Sequence, residues 1–361
     1  MKKRVIALVL SVVMAFSLAA CGTTAETTTE EATTEEAVVE EPVAEEVVAQ
    51  TVKVGMVTDV GGVNDGSFNQ SSWEGLQKAS EELGVEVKYL ESETDADYVP
   101  NIEAFIDEEY DLIICVGYML ADATRSAAEA NPEQKFAIID DASCSDLANV
   151  TCLLFEQAQA SYLAGLVAGM TTESNTVGFV LGMSSETMNQ FGYGYLAGVM
   201  DANADATVLQ YNANAFGDTA AGKSAANTMI TNGADVIFHA AGGTGLGVIE
   251  GCKESNIWAI GVDTDQSSLA PENILTSAMK RVDNACYSIT QAALEGTITS
   301  GIITYDLASA GVDIAPTTTN MSEEVIAAVT DAKAKIISGD IVVPKTQAEF
   351  EATYGEIYEL D

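Results

Sequence analysis

The chain has 361 residues and a formal net charge of −40, with 55 acidic side chains against 15 Lys and Arg side chains. This excess of negative charge repels nucleic-acid phosphates and anionic lipid head groups, so we exclude nucleic acid as a partner. The part of the chain after residue 50 is too long for one ordinary hydrophobic core, and its length predicts two lobes.

The first 20 residues have the pattern of a bacterial lipoprotein signal peptide. Lys2, Lys3 and Arg4 precede an apolar stretch, residues 5–18, which is shorter than the roughly 20 residues that a membrane-spanning helix needs. Small residues then lead to Cys21. We expect lipidation at Cys21 to anchor the mature protein to the cell membrane, on its extracytoplasmic face. The alternative is a plain secreted protein with an incidental cysteine.

Residues 21–50 consist almost wholly of Thr, Glu, Ala and Val, and they include no basic and no aromatic residue. Repulsion between the acidic side chains keeps such a segment extended, and its apolar surface is too small to offset the entropy of ordering. The composition therefore predicts a lipidated tether. A helical stalk is the alternative, which a Thr triplet and Pro42 disfavour.

From residue 51 onward, short runs rich in Val and Ile alternate with segments of helical period. This alternation is typical of βα units around a parallel sheet. For the first lobe it predicts strand 52–57, helix 67–83, strand 85–90, helix 98–106, strand 112–116, helix 121–129, strand 136–139 and strand 150–155. For the second it predicts helix 157–170, strand 177–181, helix 193–203, strand 207–211, helix 219–231, strand 236–238, helix 245–254 and strand 258–262.

The rest of the chain is too short for a third domain and is predicted to complete both lobes. Its pattern predicts strand 275–279, helix 283–294, strand 302–307 and helix 323–338. We therefore predict an α/β fold of two doubly wound parallel-sheet lobes, the first formed by 51–156 with 276–312 and the second by 157–275 with 313–361. Hinge strands would join them, and a ligand cleft would lie at the carboxyl ends of the strands.

The number and spacing of the cysteines and the histidine argue against a metal site or a catalytic thiol. The body has five cysteines without CxxC spacing: Cys115, Cys144, Cys152, Cys252 and Cys286. We expect thiols packed as small apolar groups, with a Cys144–Cys152 disulfide as the alternative. His239 is the one histidine of the sequence, so zinc sites and Cys/His nucleophiles lack the necessary partners.

The densest group of polar residues is the glycine-rich segment 58–70, at the end of the first predicted strand. Ser67 is placed to cap the next helix, with Gln70 completing a capping box. Such a cap would hold Phe68 in the first helical turn, at the cleft. Alternatively, Phe68 packs in the core and Asp65 is a turn residue. The segment matches neither a dinucleotide fingerprint nor a P-loop.

Residues 59–75, which read DVGGVNDGSFNQSSWEG, resemble the substrate-binding lipoproteins of the basic membrane protein family. Five further blocks match in the same order: KFAIIDD at 135–141, SYLAGLVAG at 161–169, ADVIFHAAGGTGLGV at 234–248, IGVDTDQ at 260–266 and TSAMKRVDNA at 276–285. The resemblance covers essentially the whole body. It implies a type I periplasmic-binding-protein fold that closes on a nucleoside and presents it to an ABC permease with a cytoplasmic ATPase.

Matched residue by residue, the resemblance implies that Phe68 and Phe216 stack on the two faces of the base. Asp140 would accept a hydrogen bond from the base edge. A carboxylate there favours hypoxanthine and guanine, which carry N1–H, so adenosine should bind more weakly. Because Asp141 follows directly, a shift of one residue would change which of the two side chains faces the cleft.

The ribose end is assigned by the same resemblance. Asp263 would accept from two hydroxyl groups, with Lys280 beside it to donate and to neutralise its charge. The predicted ligand-binding set comprises residues from both lobes: Asp59, Phe68, Asn69, Asp140, Phe216, Gly242, Gly243, Asp263 and Lys280.

The same residues could also serve other functions. A cation site at Asp263 and Asp265 lacks the third ligand and the glycine of a calcium loop. An enzyme could use Asp59 and Asp140 as an acid/base pair, but the anchor, the tether and the resemblance favour a carrier. A receptor of the same fold for a sugar or an autoinducer-type ligand stays open. We predict a nucleoside receptor without catalytic residues, cofactor or metal.

Overall fold

The computed structural model describes residues Thr51–Leu360. The signal peptide predicted for residues 1–20, the tether predicted for 21–50 and the lipidation predicted at Cys21 lie outside the described residues.

Strands and helices alternate through the described part of the chain, as the hydrophobic pattern predicts. The strands are β1 (Lys53–Val57), β2 (Glu86–Leu90), β3 (Leu112–Val116), β4 (Lys135–Ile139), β5 (Val150–Phe155), β6 (Thr176–Leu181), β7 (Thr207–Asn212), β8 (Val236–Ala240), β9 (Trp258–Asp263), β10 (Ile274–Lys280), β11 (Gly301–Tyr305) and β12 (Val312–Ile314). The helices are α1 (Phe68–Leu83), α2 (Tyr98–Asp107), α3 (Ala121–Ala130), α4 (Gln157–Thr171), α5 (Glu186–Ala202), α6 (Thr219–Thr231), α7 (Gly242–Ser255), α8 (Val282–Leu294), α9 (Glu323–Ser338) and α10 (Gln347–Tyr354).

The first sheet has the strand order β11-β5-β4-β3-β1-β2, with all neighbours parallel. Helices cover both of its faces. Leu76 of α1 and Ile289 of α8 pack on one face, and Ile102 and Phe105 of α2 pack on the other. This double coverage explains why the central strand β3 is an unbroken apolar run that is buried along its whole length.

The second sheet has the order β12-β10-β9-β8-β6-β7, and it is parallel except for β12, which pairs antiparallel with β10. Helices α4 and α5 pack closely together on one side. A Cβ atom at Gly165 would lie 2.2 Å from the Tyr195 carbonyl oxygen, and one at Gly198 would lie 2.1 Å from the Tyr162 carbonyl oxygen. Only glycine permits this approach of the two backbones.

Three crossings connect the first lobe, built on the first sheet, with the second lobe, built on the second sheet: they lie at Glu156, at Arg281 and at residues 306–311. Backbone hydrogen bonds connect the three crossings. Glu156 N–H donates to the Tyr305 carbonyl at 2.9 Å, and Arg281 N–H donates to the Gly311 carbonyl at 2.9 Å. Because β10 belongs to the second sheet, the second crossing follows Lys280, in contrast to the predicted boundary between 275 and 276. The other lobe boundaries stay predictions.

The prediction of two doubly wound α/β sheets is confirmed, and most element ends agree with the sequence prediction to within two residues. The largest difference is α5, which begins at Glu186 rather than at residue 193, because Ser185 Oγ accepts the Met188 N–H and caps the helix. Strand β12 and helix α10 have no counterpart in the prediction, since both are too short for a clear period.

All five cysteines of the described body are buried and free, so the alternative of a Cys144–Cys152 disulfide is not formed. None of the helices between Thr51 and Leu360 combines the length and the apolar character that a membrane crossing requires.

Candidate ligand-binding cleft

A cavity with about 480 Å³ of empty space is lined by residues of both lobes, at the carboxyl ends of the two sheets. Of the nine residues predicted to bind ligand, the structure places eight in its lining: Asp59, Phe68, Asn69, Asp140, Phe216, Gly242, Asp263 and Lys280. Gly243 is the next residue in α7. A Cβ atom added to it would lie 3.7 Å from Asp65 Cα, so Gly243 packs against the first lobe beside the cavity.

Asp65, rather than Ser67, caps helix α1. Its carboxylate accepts the backbone N–H groups of Ser67 at 2.9 Å, Asn69 at 2.9 Å and Gln70 at 3.1 Å. The predicted capping box is therefore wrong: the Ser67 side chain makes no cap bond, and Gln70 Nε2 donates to Glu74 at 2.9 Å. Burial raises the pKa of Asp65, although these hydrogen bonds oppose the shift.

The capped loop also fixes Asp59 at the carboxyl end of β1. Asp59 Oδ1 accepts from Asn69 Nδ2 at 2.7 Å and from Gly61 N–H at 2.8 Å. Burial raises the pKa of Asp59 to about 6, while the bond from Asn69 acts in the opposite direction. Gly117, at φ 106, makes room for this arrangement, since a Cβ there would lie 3.1 Å from Asp59 Oδ2 and 3.5 Å from Phe68 Cε1.

Asp140 and Lys280 form a buried ion pair across the cleft, with side chains 5% and 2% exposed. Asp140 Oδ2 accepts from Lys280 Nζ, whereas Oδ1 has no hydrogen-bond partner within residues 51–360. Burial raises the pKa of Asp140 in spite of the nearby ammonium group. Lys280, predicted to lie beside Asp263 and to neutralise its charge, donates its hydrogen bond to Asp140, and its charge also acts on Asp263. The neighbouring Asp141 accepts from Ser143 N–H at 2.7 Å instead of facing the cavity.

Asp263 lies at the carboxyl end of β9 and reaches the first lobe. Its Oδ2 accepts a hydrogen bond from Ser67 Oγ, which explains why Ser67 does not cap α1. Burial raises the pKa of Asp263 to about 7, and the positive charge of Lys280 limits the rise. Asp263 at φ 64 and Asp140 at φ 68 both adopt the left-handed backbone region, a strained conformation that concentrates at functional sites.

Aromatic rings from both lobes face the same cavity. Phe68 stands at the start of α1, and Lys280 Nζ lies 5.0 Å from its ring centroid. Phe216 belongs to the second lobe and packs tightly on Gly182, where a Cβ would lie 2.5 Å from Phe216 Cε1. Phe191 of α5 is a third ring in the lining, with Lys280 Nζ 5.5 Å from its centroid.

Sequence reasoning missed several lining residues. Met188 and Phe191 lie in the first turns of α5, before residue 193, where the hydrophobic pattern predicts that the helix begins. Tyr118 follows Gly117 directly after β3, so the rule that ligands bind at strand carboxyl ends could have found it. Asp65 was considered only as a turn residue.

Among the described residues, the lining carries four buried carboxylates, those of Asp59, Asp65, Asp140 and Asp263, against one ammonium group, that of Lys280. Such a surface offers acceptors to N–H and O–H groups and repels anions. Asp265, considered with Asp263 for a cation, instead accepts from Ser267 N–H at 3.1 Å and from Thr317 Oγ1 at 2.5 Å. Within residues 51–360, no group of three or more His, Cys, Asp or Glu side chains is arranged to hold a metal ion.

Comparisons with known proteins find similar sequences and a similar fold. Residues 52–347 match the family model described as ABC transporter substrate-binding protein PnrA-like, or Bmp. A CD4+ T-cell-stimulating antigen of Listeria monocytogenes is 39% identical over 96% of this chain and 99% of its own. The ABC transporter nucleoside-binding protein BmpA of Lactococcus lactis is 37% identical over 81% of this chain and 89% of its own. A solute-binding protein of an ABC transporter system from Aeropyrum pernix, known by crystal structure, has a TM-score of 0.78 and 28% identity, over 85% of this chain and 97% of its own.

Proposed function

Because the chain belongs to the PnrA-like family of ABC transporter substrate-binding proteins, we propose that its interlobe cleft captures purine nucleosides for import. A member of this family binds a substrate for an ABC permease on the extracellular side and is not an enzyme. The proposal concerns the identity of the substrate, the residues that hold it and the way the protein is attached to the cell.

The observation that carries the proposal is the joint placement of Phe68 and Phe216 in one cavity, each from a different lobe. A purine has two π faces, and stacking on aromatic side chains contributes about 1–3 kcal/mol per base. With a base between the lobes, one ring would lie on each of its faces. A sugar has no π face, so two cleft phenylalanines together with an aspartate at the base edge favour a nucleoside over a bare sugar.

The polar groups support distinct roles at the two ends of the ligand. Asp140 Oδ1 lacks a partner within the described residues and is available to accept from N1–H of hypoxanthine or guanine. Asp263 would accept from the ribose hydroxyls, assisted by the backbone of Gly242 and Gly243. Ser67 donates to Asp263 in the structure and would share that carboxylate with the ribose.

The charge of the cavity supports a nucleoside rather than a nucleotide. Four buried carboxylates face one ammonium group, and a phosphate would add negative charge to a surface that already has an excess of it. A neutral ligand with several N–H and O–H donors instead satisfies the carboxylates without this repulsion.

We further propose that Cys21 carries the lipid anchor and that residues 21–50 tether the body to the cell membrane. The closed, loaded body would then dock on a permease with a cytoplasmic ATPase. The ligand is captured and released unchanged, since the family consists of binding proteins.

Calorimetric titration tests the proposal. The protein is unfolded and refolded to remove any carried-over ligand, then titrated with inosine, guanosine, adenosine, cytidine, ribose and inosine monophosphate. We expect one-to-one binding of purine nucleosides, recovered intact, and little binding of the monophosphate or of ribose. Binding of ribose alone would favour a sugar receptor, and release of free base would identify an enzyme.

A further inference from the structure

Gln266 joins the two lobes although it lies outside the cavity lining. It begins the short turn after β9, in the second lobe, and is 2% exposed. Its Nε2 donates a 3.0 Å hydrogen bond to the backbone carbonyl of Gly66, in the capped loop of the first lobe. Since Gly66 and Gln266 belong to different lobes, this bond joins the lobes across the cleft and would break if they moved apart.

The orientation of the Gln266 amide is fixed from within the second lobe. Its Oε1 accepts from Val262 N–H at 3.0 Å and lies 3.1 Å from His239 Nε2. A backbone N–H can only donate, so the amide oxygen must face it, and the NH₂ group is left to point at Gly66. Because the amide oxygen can only accept, His239 Nε2 must carry the proton of their hydrogen bond.

His239 is suited to hold this orientation because it stays neutral. It is fully buried on β8, and burial lowers its pKa to about 4, while the bond to Gln266 acts in the opposite direction. Its Nδ1 has no partner in the described part of the chain. Gly245 provides the space, since a Cβ there would lie 2.0 Å from Nδ1.

We propose that Gln266 is a positioning residue for lobe closure, which holds the closed cleft by donating to Gly66 and is oriented by His239 and Val262 N–H. The closed form is then stabilised by a bond that touches no ligand. Affinity for any ligand that binds by closure depends on this bond, because binding selects the closed form.

Gln266→Glu is the discriminating variant. It keeps the side-chain shape and the acceptor for Val262 N–H, but above its pKa it places a carboxylate oxygen against the Gly66 carbonyl. The matched control is Gln210→Glu. Gln210 Nε2 donates to the Ile357 carbonyl at 2.7 Å and its Oε1 accepts from Glu359 N–H at 3.0 Å, so the control loses a bond of the same type within one lobe, at a more exposed position.

At pH 8 we expect Gln266→Glu to bind inosine at least about tenfold more weakly than wild type, which is the effect of losing one buried hydrogen bond. The control should bind as wild type does. Burial raises the pKa of the introduced carboxyl, so at pH 5 a larger part of it is protonated and can donate to Gly66, and the loss should shrink. Wild type is the reference at both pH values, because His239, which bonds to Gln266, and the buried carboxylates of Asp65 and Asp263, which adjoin the bonded residues, also titrate.

Equal affinities of Gln266→Glu and wild type at pH 8, or a loss that is unchanged at pH 5, would overturn the proposal. The affinity measurement rests on the proposed nucleoside ligand. If wild type itself does not bind inosine, the ligand assignment fails. Small-angle X-ray scattering of the ligand-free proteins then tests whether Gln266 holds the cleft closed. We then expect a larger radius of gyration for Gln266→Glu than for wild type at pH 8, and equal radii would refute its role.

Discussion

Replacing Asp140 with asparagine tests whether this carboxylate recognises the edge of the base by accepting a hydrogen bond. The carboxylate uses one oxygen for Lys280 and leaves the other without a partner among the described residues. In Asp140→Asn the amide oxygen is expected to stay with Lys280, so the NH₂ group replaces the free acceptor. A donor then faces the N1–H of inosine or guanosine.

The size of the effect follows from the kind of bond that is lost. A hydrogen bond to a charged group contributes about 1.5–3 kcal/mol, which corresponds to roughly a tenfold to hundredfold loss of affinity. The weaker ion pair with Lys280 affects every nucleoside alike. Adenosine has no N1–H, and its N1 can accept from the introduced NH₂ group, so its affinity should fall less than that of inosine, and the ratio of inosine to adenosine affinity reports the contact at the base edge.

Calorimetric titration of inosine, guanosine and adenosine measures that ratio in wild type and in Asp140→Asn. Asp141→Asn is the matched control, because Asp141 is the adjacent carboxylate and accepts from Ser143 at 2.7 Å. Thermal unfolding of each ligand-free protein checks that the variants are folded. Equal losses for all three nucleosides in Asp140→Asn, or a larger change of the ratio in Asp141→Asn, would refute the assignment.

Three further predictions concern stacking, charge and packing. Phe68→Ala and Phe216→Ala should each weaken all nucleosides by about 1–3 kcal/mol in calorimetry, and a loss confined to one base would contradict stacking. Between pH 5 and pH 8, the free energy of unfolding of wild type should fall by about 3 kcal/mol relative to that of Asp263→Asn, as measured by urea titrations. Burial raises the Asp263 pKa from 3.8 to about 7, so wild type loses stability as the pH rises through that window; parallel pH profiles would refute this. Gly198→Ala should lower the melting temperature, because overpacking costs about 1–3 kcal/mol and the added Cβ would lie 2.1 Å from the Tyr162 carbonyl oxygen.

Local patterns in the sequence were sufficient for the architecture. Strand β3 is an apolar run in the sequence because both faces of its sheet are covered, and Gly84, directly after the predicted helix 67–83, ends α1 in the left-handed conformation, at φ 73. Both signals depend on neighbouring residues, so they are visible without a structure. The position of the cleft followed from the rule for strand carboxyl ends, and the identity of the predicted ligand residues followed from the family resemblance.

The pairing of side chains across the cleft was decided by the tertiary structure. Ser67 has the local signature of a helix cap, yet its hydroxyl donates to Asp263, which is 196 residues away, and Asp65 caps the helix. Lys280 donates to Asp140, 140 residues away, a contact that the sequence did not indicate.

The same reason explains both differences from the sequence prediction. A helix cap or a turn depends on the residues beside it, whereas a contact between lobes depends on how two sheets and three crossings place their strand ends. The sequence alone therefore determined the strands, the helices and the polar residues at the strand ends. Only the folded chain determined which of those polar groups meet, because lobe geometry decides which partners lie within hydrogen-bonding distance.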